Sequence, residues 1–207
     1  MNFVAETASG WSRINGGYRG STSATLGYSR CCPICGARSS RALLQINDFQ
    51  FYSDSESLPK RFDVNVEMCR GCFAIYLNPC YSDFGFATLF AEAGQSYGSM
   101  AAHTTQQIDW LEKNNLIPQG ATVLDVGCYD GSFLAMLPNH LERFGVDIDE
   151  PAVVRGRNLH GDEGIQFFLG DFESFDYTGK APDTITMYHV LEHLPRPVEV
   201  LKKLQSI

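Results

Sequence analysis

The sequence predicts an α/β fold built on a parallel sheet, preceded by a small β-rich module that carries paired cysteines. Strand-like and helix-like segments alternate after Gly120, and two C-x-x-C pairs fall within residues 31–80. The charged residues are also unevenly distributed along the chain. Residues 1–80 hold 8 Lys and Arg against 6 Asp and Glu, a net +2, whereas residues 81–207 hold 8 against 18, a net −10. We therefore expect two modules of different chemistry.

The composition argues against several classes of protein. A net charge of −8 argues against a nucleic-acid surface, and no stretch approaches the 18 apolar residues of a membrane span. The N-terminus lacks a basic segment followed by an apolar run, so it predicts no signal peptide. Seven cysteines without secretion indicate thiols or metal ligands rather than disulfides. We expect a cytoplasmic protein.

The first 103 residues divide into three segments. Residues 1–30 are rich in Gly, Ser, Thr and Asn without apolar periodicity, so they predict a disordered tail. Within residues 31–80, stretches such as "KRFDVNVEM" alternate with period two, which is typical of short strands. Residues 81–103 are predicted to form a connector.

Residues 104–207 carry the α/β pattern. The stretch "TTQQIDWLEKNNLIPQG" predicts a helix with Thr104 or Thr105 as its cap. The strands that follow are predicted at "TVLDVG", "RFGVDID", "IQFFLGD" and "DTITMYHV", and the helices at "GSFLAMLP", "PAVVRGRNLH" and "RPVEVLKKLQSI". The last helix is expected to present one apolar face, formed by Val198, Leu201 and Leu204.

The paired cysteines are Cys32 with Cys35 and Cys69 with Cys72, and 33 residues separate the two pairs. Each C-x-x-C turn places two sulfurs on one side of a metal, and Zn²⁺ takes four thiolates tetrahedrally. The spacing therefore predicts a zinc ribbon. Four cysteines leave no open coordination position, which indicates a structural metal. The alternative is that these are ordinary buried or redox thiols.

Neighbouring residues qualify this prediction. Gly36 follows the first pair, and glycine readily adopts the left-handed backbone that such a turn favours. Phe73 follows the second pair, so we expect backbone strain at Phe73. Cys31 is an alternative ligand, and Cys80 and Cys128 are predicted to be packing residues.

The stretch "VLDVGCYDGSFL" has the form of a strand that delivers its backbone to a nucleotide. A dinucleotide fingerprint requires three glycines, but here only Gly127 is present, with Tyr129 and Ser132 at the other two positions. This argues against a nicotinamide-dependent oxidoreductase. The stretch instead gives acid-x-Gly-x-x-x-Gly, from Asp125 to Gly131.

Three carboxylates are expected at one edge of the predicted sheet. Asp125, Asp147 and Asp171 each stand where a parallel strand ends, and open α/β sheets bind ligands at that edge. A pyrophosphate would be repelled by Asp125 and Asp130, so the set favours a positively charged ligand without phosphate, such as a sulfonium nucleoside. The alternative is that these aspartates terminate strands and cap helices.

Together the motifs "VLDVGCYDGSFL", "GVDID", "LGDFESF" and "MYHVLEHLPRP" resemble, in order, those of class I S-adenosylmethionine-dependent methyltransferases. The front segment, "CPICG" through "CRGCFAIYLNP" to "SYGS", resembles the zinc ribbon of such enzymes in sugar and glycan pathways, including nucleotide-sugar C-methyltransferases. The resemblance covers about residues 31–207. It implies a Rossmann-like sheet with strand order 3-2-1-4.

The resemblance also implies roles for individual residues. The methionine end of the cofactor is expected to contact Asp125, Gly127, Cys128 and Gly131. Asp147 is expected to hold the ribose hydroxyls, with Ile148 against the adenine. Asp171, beside Phe172, is expected to bind the adenine amino group. His189 would lie near the transferred methyl.

The stretch "HVLEH" offers candidate bases for the methyl acceptor. If it is helical, His189 and His193 lie four apart on one face, and histidine titrates near neutrality. We therefore predict His193, with His189, as catalytic residues. The alternative is a capping or supporting histidine.

The segments that resemble the family account for only part of the family fold. The family sheet has seven strands, and this chain ends after the helix that follows the fourth, so we expect a truncated gene product or fragment. Completion by a partner chain and a residual binding module are the alternatives.

The leading function is methylation of a small molecule, most specifically a nucleotide-linked sugar or glycan precursor. An RNA methyltransferase whose ribbon holds the nucleic acid is a second hypothesis, which the acidic second half disfavours. An inactive fragment that binds only zinc and cofactor is the third.

Overall fold

The computed structural model describes residues 27–50, 61–82, 101–172 and 177–207. Most of the predicted tail and most of the predicted connector fall on residues 1–26 and 83–100, which lie outside the described residues. In the described end of the predicted tail, Gly27–Tyr28 is a short strand. The chain divides into two compact units, Met1–Tyr97 and Gly98–Ile207. A search of the described residues finds no helix with the length and apolar character of a membrane span.

The described part of the first unit consists of short antiparallel strands. They are β1 (Gly27–Tyr28), β2 (Ser40–Gln50), β3 (Arg61–Cys69), β4 (Ile75–Asn78) and β5 (Cys80–Tyr81). β2, β3 and β4 form one sheet in that order, and β1 pairs with β5. The segments that alternate with period two are therefore strands.

The Glu67 carboxylate links the three strands of the larger sheet. It accepts hydrogen bonds from the Ser40 hydroxyl at 2.6 Å, the Asn78 amide at 3.1 Å and the Tyr76 hydroxyl at 3.3 Å. Ser40 pairs with Cys69 in the strand register. These bonds therefore fix the end of the sheet that carries the second cysteine pair.

The second unit contains a parallel sheet with helices between its strands. Its elements are α1 (Ala101–Lys113), β6 (Thr122–Val126), α2 (Ser132–Met136), β7 (Glu142–Asp147), α3 (Glu150–His160), β8 (Ile165–Leu169), β9 (Thr184–Thr186) and α4 (Pro197–Gln205). The strand order is β8-β7-β6-β9, and every pair is parallel. This confirms the predicted 3-2-1-4 arrangement.

The sheet is covered on both faces. Every residue of β6 is buried, which is typical of a strand with helices on both sides. One apolar cluster includes Ile108 of α1, Val123, Leu134 and Val153. The other includes Leu124, Phe144, Val146 and Val200 of α4. Successive β6 residues thus face opposite clusters.

Two local predictions in this unit are wrong. Helix α1 begins at Ala101, so Thr104 is a buried interior residue rather than the cap, and Thr105 also lies inside the helix. The preceding alanines, which are strong helix formers, extend the helix backward. In α4, Leu204 of the predicted face does pack on the core cluster, but the buried residues are Pro197 and Val200, and Leu201 is 48% exposed. The helix is therefore rotated relative to the predicted stripe.

Candidate functional site

The four cysteines of the two C-x-x-C pairs come together in the first unit. Their sulfurs all lie within 4.8 Å of one another, with Cys32 and Cys72 at 3.6 Å and Cys35 and Cys69 at 3.5 Å. A tetrahedral zinc with bonds of about 2.3 Å places its sulfurs about 3.8 Å apart. The donor set therefore fits one metal ion of this kind. Cys31 is exposed and does not join the cluster.

The two cysteine turns share one backbone geometry. The N–H of Gly36 donates to the Cys32 carbonyl at 2.9 Å, and the N–H of Phe73 donates to the Cys69 carbonyl at 3.1 Å. Both donors are left-handed, with φ of 72° for Gly36 and 62° for Phe73. A left-handed phenylalanine is strained, as the sequence predicts for the second turn.

Backbone groups prepare one of these sulfurs for a metal. The backbone N–H groups of Cys72 and Gly71 point at the Cys69 sulfur and lower the pKa of that thiol to about 6. The Gly71 nitrogen lies 3.2 Å from the sulfur. Metals bind the thiolate rather than the thiol, so this environment favours the form that coordinates.

In the second unit, the predicted carboxylates lie along the carboxyl edge of the sheet. Asp125 is the fourth of the five residues of β6, Asp147 ends β7, and Asp171 follows β8 by two residues. These strands are neighbours in the sheet and run parallel, so their carboxyl ends share one edge. Asp125 is buried, and the other two are half-buried.

Hydrogen bonds hold two of these carboxylates in place. The Thr186 hydroxyl donates to Oδ1 of Asp125 at 2.7 Å. The backbone N–H groups of Tyr129 and Asp149 donate to the two oxygens of Asp147 at 2.7 and 2.8 Å. Asp147 thus fixes the loop that follows β6 as well as the start of α3.

Burial makes the carboxyl groups of Asp125 and Asp147 hard to ionise. Burial raises the pKa of Asp125 to about 7, and the nearby charge of Asp147 adds to the increase. Burial also raises the pKa of Asp147. A cation beside two such carboxylates would stabilise their charged forms. The electrostatics therefore favour a positively charged ligand.

The loop after β6 directs its backbone N–H groups at the protein itself. The donors are Gly127, Cys128, Tyr129, Gly131 and Ser132. The Val146 carbonyl accepts the first two of these bonds, and the carboxylates of Asp147 and Asp130 accept the third and the fifth. Phosphate-binding loops offer such groups to the ligand. This loop is therefore poorly suited to a pyrophosphate.

The two glycines of the loop are required by packing within the protein. A Cβ on Gly127 would lie 2.2 Å from Val190, and one on Gly131 would lie 2.4 Å from the Phe167 ring. Both residues are also left-handed, with φ of 77° and 78°. The Cys128 side chain is buried in the core cluster beside β7. Their contact with a cofactor stays a prediction.

Tyr129, at the position where a dinucleotide loop has glycine, retains the left-handed backbone of glycine, with φ of 52°. Its ring lies beneath the Arg155 guanidinium of α3, 5.1 Å from ring centroid to Cζ. This cation–π contact stabilises the side chain in place. The remaining predicted cofactor residues, Ile148 and Phe172, lie at the same edge of the sheet, with Phe172 buried.

The stretch from His189 to His193 is not one helix, so the condition under which the two histidines would share a face is not met. His189 has a left-handed φ of 55°, and a short 3₁₀ turn covers Leu191–His193. The left-handed residue interrupts the helical path. The His189 side chain is 82% exposed, and its Nδ1 lies 3.5 Å from Oε1 of Glu192. The catalytic roles of His189 and His193 stay predictions.

Sequence reasoning missed two residues beside Asp125. Thr186 is its hydrogen-bond partner, and the negative charge of Asp125 adds to the effect of burial in raising the pKa of Tyr188. The Tyr188 ring packs edge-on against Phe133 at 5.3 Å. Thr186 faces Asp125 because the two pair in the strand register, which no local sequence pattern specifies.

The strand order, the loop after β6 and the acidic edge together define an open parallel α/β domain, a class that binds its ligands at the carboxyl ends of the strands. A family model described as "Methyltransferase domain" matches residues 100–207. The match covers more than half of the chain, and the chain belongs to this family.

Similar solved structures include the plantazolicin methyltransferase BpumL, in complex with a triazolic desmethylPZN analog and SAH. That alignment has 21% identity and a TM-score of 0.42, and it covers 51% of this chain and 40% of that one. YcgJ from Bacillus subtilis has 18% identity, a TM-score of 0.43 and coverages of 48% and 44%. PH0226 from Pyrococcus horikoshii OT3 has 24% identity, a TM-score of 0.41 and coverages of 49% and 51%.

The chain thus spans about half or less of the length of these structures. The comparison with curated proteins found no match.

Proposed function

We propose that this chain belongs to an enzyme that transfers a methyl group from S-adenosylmethionine to a small molecule. The observation that carries the proposal is the acidic carboxyl edge, where Asp125 and Asp147 favour a cation. The loop that faces this edge has its N–H groups already bonded within the protein, which disfavours a phosphate. A sulfonium nucleoside meets both conditions, and membership of the methyltransferase family supports it.

Different predicted residues would contact different parts of the cofactor. Asp147 would accept the ribose hydroxyls beside Ile148, and Asp171 would accept the amino group of the adenine beside Phe172. Asp125, Gly127, Cys128 and Gly131 would surround the methionine end. When bound, the cofactor supplies an electrophilic methyl group to the acceptor.

Methyl transfer is an in-line displacement, so the protein accelerates it by positioning the reactants and removing a proton from the acceptor. We propose that His193 accepts this proton from the methyl acceptor, with His189 as the second candidate. Both histidines follow β9 at the carboxyl edge of the sheet. The exposure of His189 places it within reach of solvent, to which a base must return its proton.

For the acceptor we propose a nucleotide-linked sugar or a glycan precursor. The support is the order of the modules along the chain, a segment with four clustered cysteines followed by a methyltransferase domain, which resembles the order in enzymes of those pathways. The net charge of −10 in residues 81–207 disfavours RNA as the acceptor.

Titration calorimetry of the full chain with S-adenosylhomocysteine tests the proposal. We expect binding, and we expect Asp147→Asn to weaken it at least about 10-fold, because a charged acceptor of two hydroxyls is lost. Asp162→Asn, at an exposed position of a short 3₁₀ turn, is the matched control. Absence of binding at millimolar ligand would overturn the proposal. RNA binding with a steep salt dependence would redirect it to a nucleic-acid acceptor.

We also propose that the cysteine cluster holds one structural zinc ion. Elemental analysis of the purified chain is expected to find one zinc per chain, and Cys69→Ser is expected to lower that ratio well below one. Cys31→Ser changes an exposed thiol outside the cluster and is expected to keep the metal. Equal zinc content in both variants would contradict this assignment.

A further inference from the structure

Lys203 of α4 makes two contacts with Phe172. Its Nζ donates a hydrogen bond to the Phe172 carbonyl at 2.8 Å. The same ammonium lies 5.2 Å from the centroid of the Phe172 ring. Charge-assisted hydrogen bonds and cation–π contacts are each stronger than their neutral counterparts. One cation thus holds both the backbone and the side chain of Phe172.

Lys203 stands at an unusual place for a lysine. It is one helical turn after Val200, which is 1% exposed, and it is itself partly buried, whereas its neighbour Lys202 is exposed. Leu204 and Ile207 pack on the same apolar cluster as Val200. A lysine in this position lays its alkyl chain along apolar surface and directs its charge to a fixed partner.

The segment that Lys203 holds carries a predicted nucleobase contact. Asp171 lies between Gly170 and Phe172. The Gly170 N–H donates to the Asp147 carbonyl at 2.8 Å, and Lys203 binds the Phe172 carbonyl. Both neighbours of Asp171 are therefore anchored, one to the end of β7 and the other to α4.

We propose that Lys203 is a positioning residue that sets the selectivity of this site for a nucleobase with an exocyclic amino group. It acts through Phe172 on the position of Asp171 and does not touch the ligand. The inference rests on the proposed function, in which Asp171 accepts a hydrogen bond from that amino group. A carboxylate held within about 0.5 Å can discriminate a donor from an acceptor, whereas a loosely held one cannot.

The test compares two ligands on the full chain by calorimetry: S-adenosylhomocysteine and S-inosylhomocysteine, which carries an oxygen in place of the amino group. We expect the wild type to prefer the adenosine ligand at least about 10-fold, because the oxygen would face a carboxylate. Lys203→Met is expected to reduce that preference to about 2-fold or less. Lys203→Arg is expected to restore part of it, and Lys202→Met, the matched control, to leave it unchanged.

Each outcome decides between the two proposals. If the wild type binds neither ligand, the proposed function fails and this inference fails with it. If the wild type discriminates and Lys203→Met discriminates equally, the inference alone is overturned. Equal weakening of both ligands would show a merely structural role and would also overturn it. If Lys203→Met does not fold, Lys203→Gln, which keeps a hydrogen-bond donor but carries no charge, takes its place. The same ratio of affinities for the two ligands is then compared with that of the wild type.

Discussion

Thr186 and Asp125 are joined by a 2.7 Å hydrogen bond between paired residues of the parallel strands β9 and β6. The bond stabilises the ionised form of a carboxyl group that burial would otherwise keep protonated. The balance of these effects leaves the pKa of Asp125 at about 7 in the folded chain, against 3.8 for the ordinary group.

This difference predicts a pH dependence of stability. Because the folded-state pKa is raised, the folded chain binds this proton more tightly than the unfolded chain. The contribution of this proton to the free energy of unfolding is complete below about pH 4. It is lost as the pH rises through about 7. At 1.36 kcal/mol per pKa unit the loss is at most about 4 kcal/mol.

Urea unfolding at pH 5 and pH 8 measures the part of this loss that falls between those values, about 3 kcal/mol. Asp125→Asn is expected to remove most of it. Thr186→Val, which takes away the donor to the ionised form, is expected to enlarge it. An equal pH dependence in Asp125→Asn and the wild type would show that another group is responsible.

Gly131 and Gly164 form a matched pair for testing the packing of the loop. Both have φ of 78°, but an added Cβ meets the Phe167 ring only at Gly131 and meets nothing within 4 Å at Gly164. Gly164→Ala is expected to cost about 1 kcal/mol, from backbone conformation alone. Gly131→Ala is expected to cost about 2 kcal/mol more, because the ring must move.

Chemical denaturation of the two variants gives the comparison. Phe167→Leu in the Gly131→Ala background is expected to recover part of the additional loss. Similar free energies of unfolding for the two glycine variants would contradict a close contact at Gly131.

Phe73 offers a stabilising substitution. Its φ is 62° and its side chain is 70% exposed, so Phe73→Gly relieves backbone strain and removes little packing. We expect the folding free energy of the first unit to improve by about 1 kcal/mol. Because metal binding and folding are coupled in so small a module, the apparent metal affinity is expected to rise about fivefold. A competition assay with a chromogenic zinc chelator measures the change. Gly36→Ala, at the equivalent position of the first turn, is expected to shift the affinity in the opposite direction.

Arg143 clamps several chain segments from within the core. It is 1% exposed, and its guanidinium donates to the carbonyls of Leu134 and Leu137, at 3.2 and 3.3 Å, and to the Glu163 carbonyl. Arg143→Met is expected to destabilise the chain by about 3 kcal/mol, because buried carbonyls lose their donors.

The control for this prediction is Arg157→Met. Arg157 is exposed and binds a single carbonyl, that of Phe167 at 2.8 Å, and its replacement is expected to cost less than about 1 kcal/mol. Thermal unfolding followed by circular dichroism separates the two. Comparable losses would show that the Arg143 contacts are not a clamp.

Sequence reasoning was most effective where one local pattern suffices. The buried run that includes Val123 and Leu124 can be satisfied only by a strand with both faces covered, and that is how β6 lies. The four cysteines likewise converge as their spacing predicts. A C-x-x-C turn fixes two sulfurs locally, so one pairing of two turns completes the cluster.

The errors arose where neighbouring residues or distant parts of the chain override a local pattern. Thr104 has the residue type of a cap, but the helix continues past it to Ala101. His189 and His193 have helical spacing, but the left-handed backbone of His189 shows that the stretch is not a helix, a point on which the spacing alone was silent. In α4, packing of Val200 against the sheet sets the rotation and leaves Leu201 exposed.

Local patterns in the sequence were enough to predict the fold class and the carboxylates of the acidic edge, because hydrophobic period and glycine position act over short distances. The strand order came only from the resemblance to a known family. Only the tertiary structure decided which groups meet at that edge. Thr186 reaches Asp125, and Lys203 reaches Phe172, across 61 and 31 positions of the chain. Such contacts depend on strand register and helix rotation, which the packing of the whole core fixes and no local pattern encodes.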